Sequence, residues 1–532
     1  MTINRRRFNQ LLLLSGASMS LPAAAFAEVT PIAGGTLNFI LETEPGALVA
    51  VTTTDNVTKV SAKITEGLLA HDFDLNPQPQ LATEWIVSDD GLQYTFKLRQ
   101  GVKWHDGKDF TSEDVAHSIL LLKEHHPRGR GTFAPVEAVR TPDAHTAVIV
   151  LSRPAPYLLR AFYADESPIV PKHRYEDKKP AESPNATAPV GTGPFRFVEW
   201  VRGSHIILDR NPDYWDNPKP YLDRIIFRVI TDASARAIAF ETGEADLGSD
   251  STIPLSEIER IRELPHISTV RKGYSFAAGV RRIEFNLDNP YFKEKKVRQA
   301  VAHAIDREAI KNTIWYGFGE VIYGPISPAL TDFFTTDLPT YPYDTTKAEA
   351  LLDEAGFPRG TDGIRFKVFH DYRPWNEGDK RTGEYLKQAL GVIGITVNVR
   401  AQDMASYVKR VYTDRDFDFT SNSMTNSFDP VIGVQRLYWS KNYKPGVPFS
   451  NGSHYNNPEV DRLLEAAAVE VNRQTRLQYY RDFQKLVAAD LPDISFLSQS
   501  YLTIANNRVA NHTTGATGIS GNLAQAHLLQ RI

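Results

Sequence analysis

The chain has no cysteine among its 532 residues, which excludes disulfides, thiolate zinc sites, Cys-ligated iron–sulfur clusters and a cysteine nucleophile. Neither sign of charge is in excess. Lys and Arg number 60 against 64 Asp and Glu, so the basic footprint of a nucleic-acid or polybasic-membrane binder is missing. No uninterrupted apolar run of about 18 residues occurs, and no transmembrane helix is expected. Also absent are Gly-x-Ser-x-Gly, His-Glu-x-x-His, a phosphate-cradling glycine loop and a dinucleotide fingerprint. No cofactor, metal or catalytic residue is therefore expected. What is present is ordinary for a globular protein: 42% hydrophobic, 23% charged and 11% aromatic residues. At about 100 to 200 residues per domain, the length predicts several compact units rather than one core.

Residues 1–27 read as an export signal, with Arg5, Arg6 and Arg7, an apolar run at 11–14, and small residues ending Ala25-Phe26-Ala27. The order Arg5-Arg6-Arg7-Phe8 resembles the twin-arginine pattern, which favours that route over general secretion. A lipid anchor would need a cysteine after the cleavage site, so the mature chain is expected to be soluble in a periplasm, where ATP- and nicotinamide-dependent chemistry is disfavoured.

Periodicity then sets the elements. Residues 36–41 and 94–98 read as strands, and 57–69 as a helix. Thr111-Ser112-Glu113-Asp114 opens a helix whose apolar side is Val115, Ile119 and Leu122, because a hydroxyl cap accepts amide protons and early acids face the positive end of the helix dipole. The stretch 171–189 reads as a surface connection. Val297, Ala300, Val301, Ala304 and Ile305 form one buried helical stripe. A helix over 345–355 ends at Gly356, and strand 364–369, helix 383–393 and strand 395–399 make a β-α-β unit that predicts parallel pairing. Asn457-Pro458-Glu459 starts a long helix, 494–497 is a last strand, and the tail from Asn511 is expected to be irregular.

Two polar segments follow strand signals. In open α/β sheets ligands bind beyond the carboxyl ends of strands, so an arginine in His370-Asp371-Tyr372-Arg373-Pro374-Trp375-Asn376 could grip a carboxylate; a surface arginine propping a proline turn is the competing reading. Residues 421–430, rich in Ser, Asn and Thr, could hydrogen-bond a ligand or their own backbone. Trp375, Trp439, Tyr214 and Trp215 are candidate pocket walls, and His125-His126 is expected in an exposed loop.

Several motifs together resemble the peptide/opine/nickel family (family 5, extracellular) of solute-binding proteins that feed ABC importers. They are Leu81-Ala82-Thr83-Glu84-Trp85, Asp90-Gly91-Leu92-Gln93-Tyr94-Thr95-Phe96, Gly101-Val102-Lys103-Trp104-His105-Asp106-Gly107, Gly191-Thr192-Gly193-Pro194-Phe195, Asn211-Pro212-Asp213-Tyr214-Trp215 and Val297-Arg298-Gln299-Ala300. The resemblance implies an α/β, periplasmic-binding-protein-like fold with two hinged lobes and an extra α/β domain inserted in the first. Residues 28–76, 188–295 and 495–532 would form the first lobe, 77–187 the inserted domain and 296–494 the second lobe. It implies a non-enzymatic monomer that closes on a peptide or peptide-like carboxylate and delivers it to a membrane permease, with no nucleic acid involved.

Arg373-Pro374-Trp375-Asn376 is similar to the segment that supplies the carboxylate-binding arginine in dipeptide-binding members. The upstream aspartate that holds the ligand amine there appears here as Asn426, ahead of Asp429-Pro430, so either Asp429 takes that part or the solute lacks a free α-amine. The expected substrate-binding set is Arg373, Trp375, Asn422, Asn426, Asp429 and Trp439. An opine or sugar-phosphodiester binder is the alternative within the family, and a periplasmic hydrolase on this scaffold the alternative outside it.

Overall fold

A computed structural model describes residues 31–53, 56–175, 179–248, 252–374 and 377–529. The export segment therefore lies outside the described residues. Three sheets organise the chain. The first runs Ile267–Val270, Thr503–Asn506, Leu247–Gly248, Thr36–Leu41, Arg224–Val229, His205–Arg210 and Phe195–Val201 in spatial order. Its Thr36–Leu41 strand is parallel to both neighbours, and its inward side chains Leu37, Phe39, Ile206, Ile225 and Phe227 form one core.

The second sheet runs Gly319–Val321, Asp493–Gln499, Gly279–Phe285, Phe419–Thr425, Phe366–Tyr372 and Ile395–Arg400. Phe366–Tyr372 is parallel to Ile395–Arg400 and to Phe419–Thr425, as the β-α-β pattern requires. The helix between them starts at Glu377, earlier than periodicity suggests, and runs to Val392. Lys295–Ala304 packs beneath this sheet with Val297, Ala300, Val301 and Ala304 fully buried.

The third sheet, Ala82–Val87, Gln93–Leu98, Thr146–Leu151 and Val136–Asp143, is wholly antiparallel. Its helix Ser112–His125 starts at the expected Thr111 cap, which a capping box completes, with the Thr111 amide donating to Asp114 Oδ2 at 3.0 Å. The apolar cluster under this sheet is continuous with the second lobe: Phe96, Phe133 and Phe162 belong to the same core as Phe428, Leu437 and Tyr480. The inserted domain thus packs directly against the second lobe.

The chain crosses between the first two sheets at 271–278 and again at 500–502. The crossings touch. Tyr274 and Tyr501 rings lie 5.6 Å apart, and a side chain at Gly279 would strike the Tyr501 hydroxyl. These crossings correct the expected lobe boundaries: Gly279–Phe285 and Asp493–Gln499 are inner strands of the second sheet, not parts of the first lobe.

Three local expectations are also corrected. The tail beyond Asn511 is packed, with Ala516, Ile519, Leu523 and Ala526 buried and His527–Leu528 paired to Val509–Ala510. His126 is buried, its Nδ1 accepting from the Gly129 amide at 2.8 Å, and burial pushes its pKa down to about 4. Tyr214 and Trp215, expected as pocket walls, donate to the buried Glu66 carboxylate at 2.9 and 3.0 Å.

Candidate functional site

Three bodies meet at an aromatic junction. Tyr163 comes from the inserted domain, Phe276 from the first crossing and Phe428 from the second lobe. Tyr163 meets Phe276 edge-on at 4.8 Å and Phe428 at 5.8 Å, while Phe276 and Phe428 are stacked at 6.2 Å. Among the described residues the buried Tyr163 hydroxyl has no hydrogen-bond partner, nor does either oxygen of the neighbouring Asp165, which is 1% exposed. Burial raises the Asp165 pKa to about 7 and lowers that of Lys63, which faces it, also to about 7. At the rim, Arg160 of the inserted domain reaches Asp332 of the second lobe at 2.9 Å.

Arg373 stands at the carboxyl end of the strand Phe366–Tyr372. That strand runs farther than the sequence pattern suggests, so His370 and Asp371 are buried strand residues rather than loop. Backbone and side chain of Arg373 tie it to the adjacent strand: its amide donates to Ser421 O at 3.1 Å and its Nη1 to Ser423 O at 2.8 Å. Its Nη2 lies 3.7 Å from Asp379 Oδ2, while Arg281 Nη1 donates to Asp379 Oδ1 at 2.6 Å. Two guanidiniums therefore converge on one carboxylate. Arg281 is also stacked 3.3 Å over Trp315, and burial together with the like charge of Arg373 brings its pKa down to about 10 against the pull of Asp379.

The segment read as a polar ligand loop is mostly strand, Phe419–Thr425, and its polar side chains serve the protein. Asn422 accepts from Arg282 Nε at 3.1 Å and donates to Glu284 Oε2 at 2.9 Å. Arg282 pairs with Glu284 and with Asp493, and these carboxylates hold it protonated although burial acts the other way. Asn426 accepts from the Ser327 amide at 2.6 Å and donates to Pro325 O at 3.1 Å.

Asp429 caps the turn Pro430–Gly433 and holds Arg476 with both oxygens, at 2.7 and 3.0 Å. Asn426 and Asp429, expected to meet polar groups of a solute, are here both engaged with protein groups. Asparagine and aspartate serve a buried turn as readily as a solute, and composition does not distinguish the two uses. Trp439 is half-buried, with its indole N–H donating to Glu465 at 2.8 Å. Trp375 lies outside the described residues.

Sequence reading passed over Tyr163, Phe276 and Phe428 because their spacing along the chain carries no signal. Arg281 was hidden inside an ordinary strand pattern. Among the described residues no group of three or more His, Asp or Glu side chains could hold a metal ion, and no helix is long and apolar enough to cross a membrane. The structure thus sets an aromatic junction where three bodies meet and, separately on the second sheet, buried guanidiniums around Asp379.

A family model for bacterial extracellular solute-binding proteins, family 5 Middle, matches residues 76–453. The oligopeptide-binding protein AppA of Bacillus subtilis is 29% identical over 515 residues, covering 93% of this chain and 91% of that protein. Its structure in complex with a nonapeptide superposes with a TM-score of 0.79 at 26% identity, covering 94% of this chain and all of the other. AgaA of A. tumefaciens R10, solved with agropinic acid, gives a TM-score of 0.75 at 28% identity over 94% of this chain and 99% of its own. The chain belongs to the bacterial extracellular solute-binding proteins of family 5.

Proposed function

We propose that the protein is the capture subunit of an ABC import system. It closes its lobes on a peptide or peptide-like solute bearing a carboxylate and delivers it unaltered to a membrane permease. The observation that carries this reading is the convergence of Arg281 and Arg373 on Asp379, at the carboxyl end of a parallel strand and close to Tyr501 in the second crossing. A buried guanidinium in this place can exchange part of its contact with Asp379 for a ligand carboxylate. The nonapeptide complex of AppA supports a peptide, and the Arg5-Arg6-Arg7-Phe8 order supports export by the twin-arginine route to the periplasm.

Arg373→Ala is expected to weaken an acidic solute by about 2 to 5 kcal/mol in titration calorimetry, as loss of one partner of a desolvated charge pair does. A loss under about 0.5 kcal/mol would return Arg373 to a purely structural role. An opine is the second reading. The engagement of Asn426 and Asp429 with protein groups favours a solute without a free α-amine, and AgaA was solved with agropinic acid. Mass spectrometry of small molecules released from the denatured protein separates the two, and turnover of any of them would instead favour a hydrolase.

A further inference from the structure

Trp315 ends the helical turn Ile310–Ile314 of the second lobe and is 3% exposed. Its indole N–H has no hydrogen-bond partner among the described residues. Four other indoles of the chain each donate to an acid: Trp104 to Asp114 at 3.3 Å, Trp200 to Glu44 at 2.8 Å, Trp215 to Glu66 at 3.0 Å and Trp439 to Glu465 at 2.8 Å. Trp315 instead faces a cation. Arg281, 2% exposed, is stacked on the ring with its Cζ 3.3 Å from the ring centre. Arg281 donates from Nη1 to Asp379 at 2.6 Å and from Nη2 to Gln499 at 3.0 Å, while its Nε has no partner among the described residues.

The two idle N–H groups lie close together. With Cζ 3.3 Å from the ring centre, covalent geometry keeps Nε and the indole nitrogen within about 7 Å of each other, a gap that the two oxygens of one carboxylate span at ordinary hydrogen-bond lengths. The ring is pinned where it stands: a Cβ at Gly378 would come within 2.5 Å of it, so the first turn of the helix Glu377–Val392 holds it beside Asp379. Arg373 Nη2 lies 3.7 Å from the same Asp379, so two guanidiniums share one acid and the cluster is net positive. Buried donors without an acceptor are costly, and an anion here satisfies both of them and balances two guanidiniums with two acids.

The cluster stands at the boundary between the lobes. Arg281 follows closely on Gly279 and Gln499 closely precedes Tyr501, where the two crossings enter the second lobe. Phe318, just beyond Trp315, is buried in the first-lobe cluster with Ile40, Phe240 and Ile504, so the turn that carries the indole spans the boundary and moves when the lobes separate.

We propose that the Trp315 indole N–H and Arg281 Nε form a donor pair that receives a carboxylate of the solute, with Trp315 selecting a carboxylate over a neutral group. This deepens the proposed function and rests on it for lobe movement and for the rest of the solute.

The test uses the full chain with acetate, and with acetamide as a neutral acceptor of similar size, at ionic strength held constant with sodium chloride. Half-saturation is read from thermal unfolding and, independently, from tryptophan emission. The wild type should respond saturably to acetate in both and to acetamide in neither. Trp315→Phe keeps a ring against Arg281 and Gly378 and removes the N–H. It should raise the half-saturating acetate concentration about tenfold or more, as expected for loss of a charge-assisted hydrogen bond, and abolish the emission change. Arg281→Lys, which lacks Nε, should raise it as well, and Trp200→Phe, at an indole of the first lobe, should leave it unchanged.

No saturable response of the wild type to acetate, or an equal one in a folded Trp315→Phe protein, overturns the donor pair. An equal response to acetamide overturns the choice of a carboxylate. Failure of the peptide reading would appear separately, as wild-type protein that responds to acetate yet retains no member of a tripeptide library.

Discussion

Asp429→Asn separates a structural aspartate from a ligand-binding one. Asn caps a helix about as well as Asp, so the turn at Pro430 should survive and the change isolates the charge. Asp429 is 1% exposed and contributes both oxygens to Arg476, which is 8% exposed and otherwise donates to Ala467 O at 2.9 Å. Arg476 also lies against the Phe333 and Tyr480 rings, so no water replaces the lost carboxylate easily. Breaking one side of a buried ion pair costs about 3 to 5 kcal/mol, and the Asn oxygen can keep one weaker bond, which places the expectation near 3.

For a unit the size of the second lobe, that corresponds to a fall of roughly 6 to 12 °C in its calorimetric transition. Solute affinity of the folded variant should change by less than about 0.5 kcal/mol, the range for sites without direct contact. An unchanged transition together with abolished binding would refute the reasoning and make Asp429 a ligand residue.

Arg160→Ala removes a rim contact across the closed boundary. The pair is partly exposed, at 20% and 30%, and Asp332 keeps Arg473 at 2.6 Å, so the loss should stay below about 1 kcal/mol. Stopped-flow fluorescence should show it as faster solute release with little change in association. His370→Leu tests acid sensitivity. His370 is fully buried, neither ring nitrogen has a partner among the described residues, and burial lowers its pKa from 6.5 to about 3.

A folded-state pKa below the unfolded one gives stability that is present above pH 6.5 and is lost as pH falls toward 3. The leucine variant lacks this loss. It should match the wild type within about 1 kcal/mol at pH 7 and exceed it by about 2 kcal/mol near pH 4.5 in denaturant melts. Parallel pH profiles for the two proteins would exclude His370 as a source of the slope.

Elements with a strong period were legible from residues alone. The stripe from Val297 to Ala304 is fully buried, Thr111 caps its helix as expected, and Gly356 ends its helix at a φ of 85°. Segments of mixed character were not. Residues 421–430 read as a polar loop because Ser, Thr and Asn favour turns, yet the first five of them belong to the inner strand Phe419–Thr425, whose polar side chains meet buried charges on Gly279–Phe285. Here tertiary pairing overrode local preference. Phe276 and the lobe boundaries at 271–278 and 500–502 were equally unreadable, since a strand leading into a hinge has the same pattern as one that ends within its own sheet.

The sequence by itself determined the class of molecule: no cysteine chemistry, an export-like start, family motifs along most of the chain, and an arginine at the end of a parallel strand. Only the tertiary structure decided which polar side chains remain for a solute. Hydrogen bonding and charge pairing are settled between residues far apart in the chain. Asp429 is claimed by Arg476, forty-seven positions away, and Asn426 by Ser327 and Pro325, about a hundred positions away.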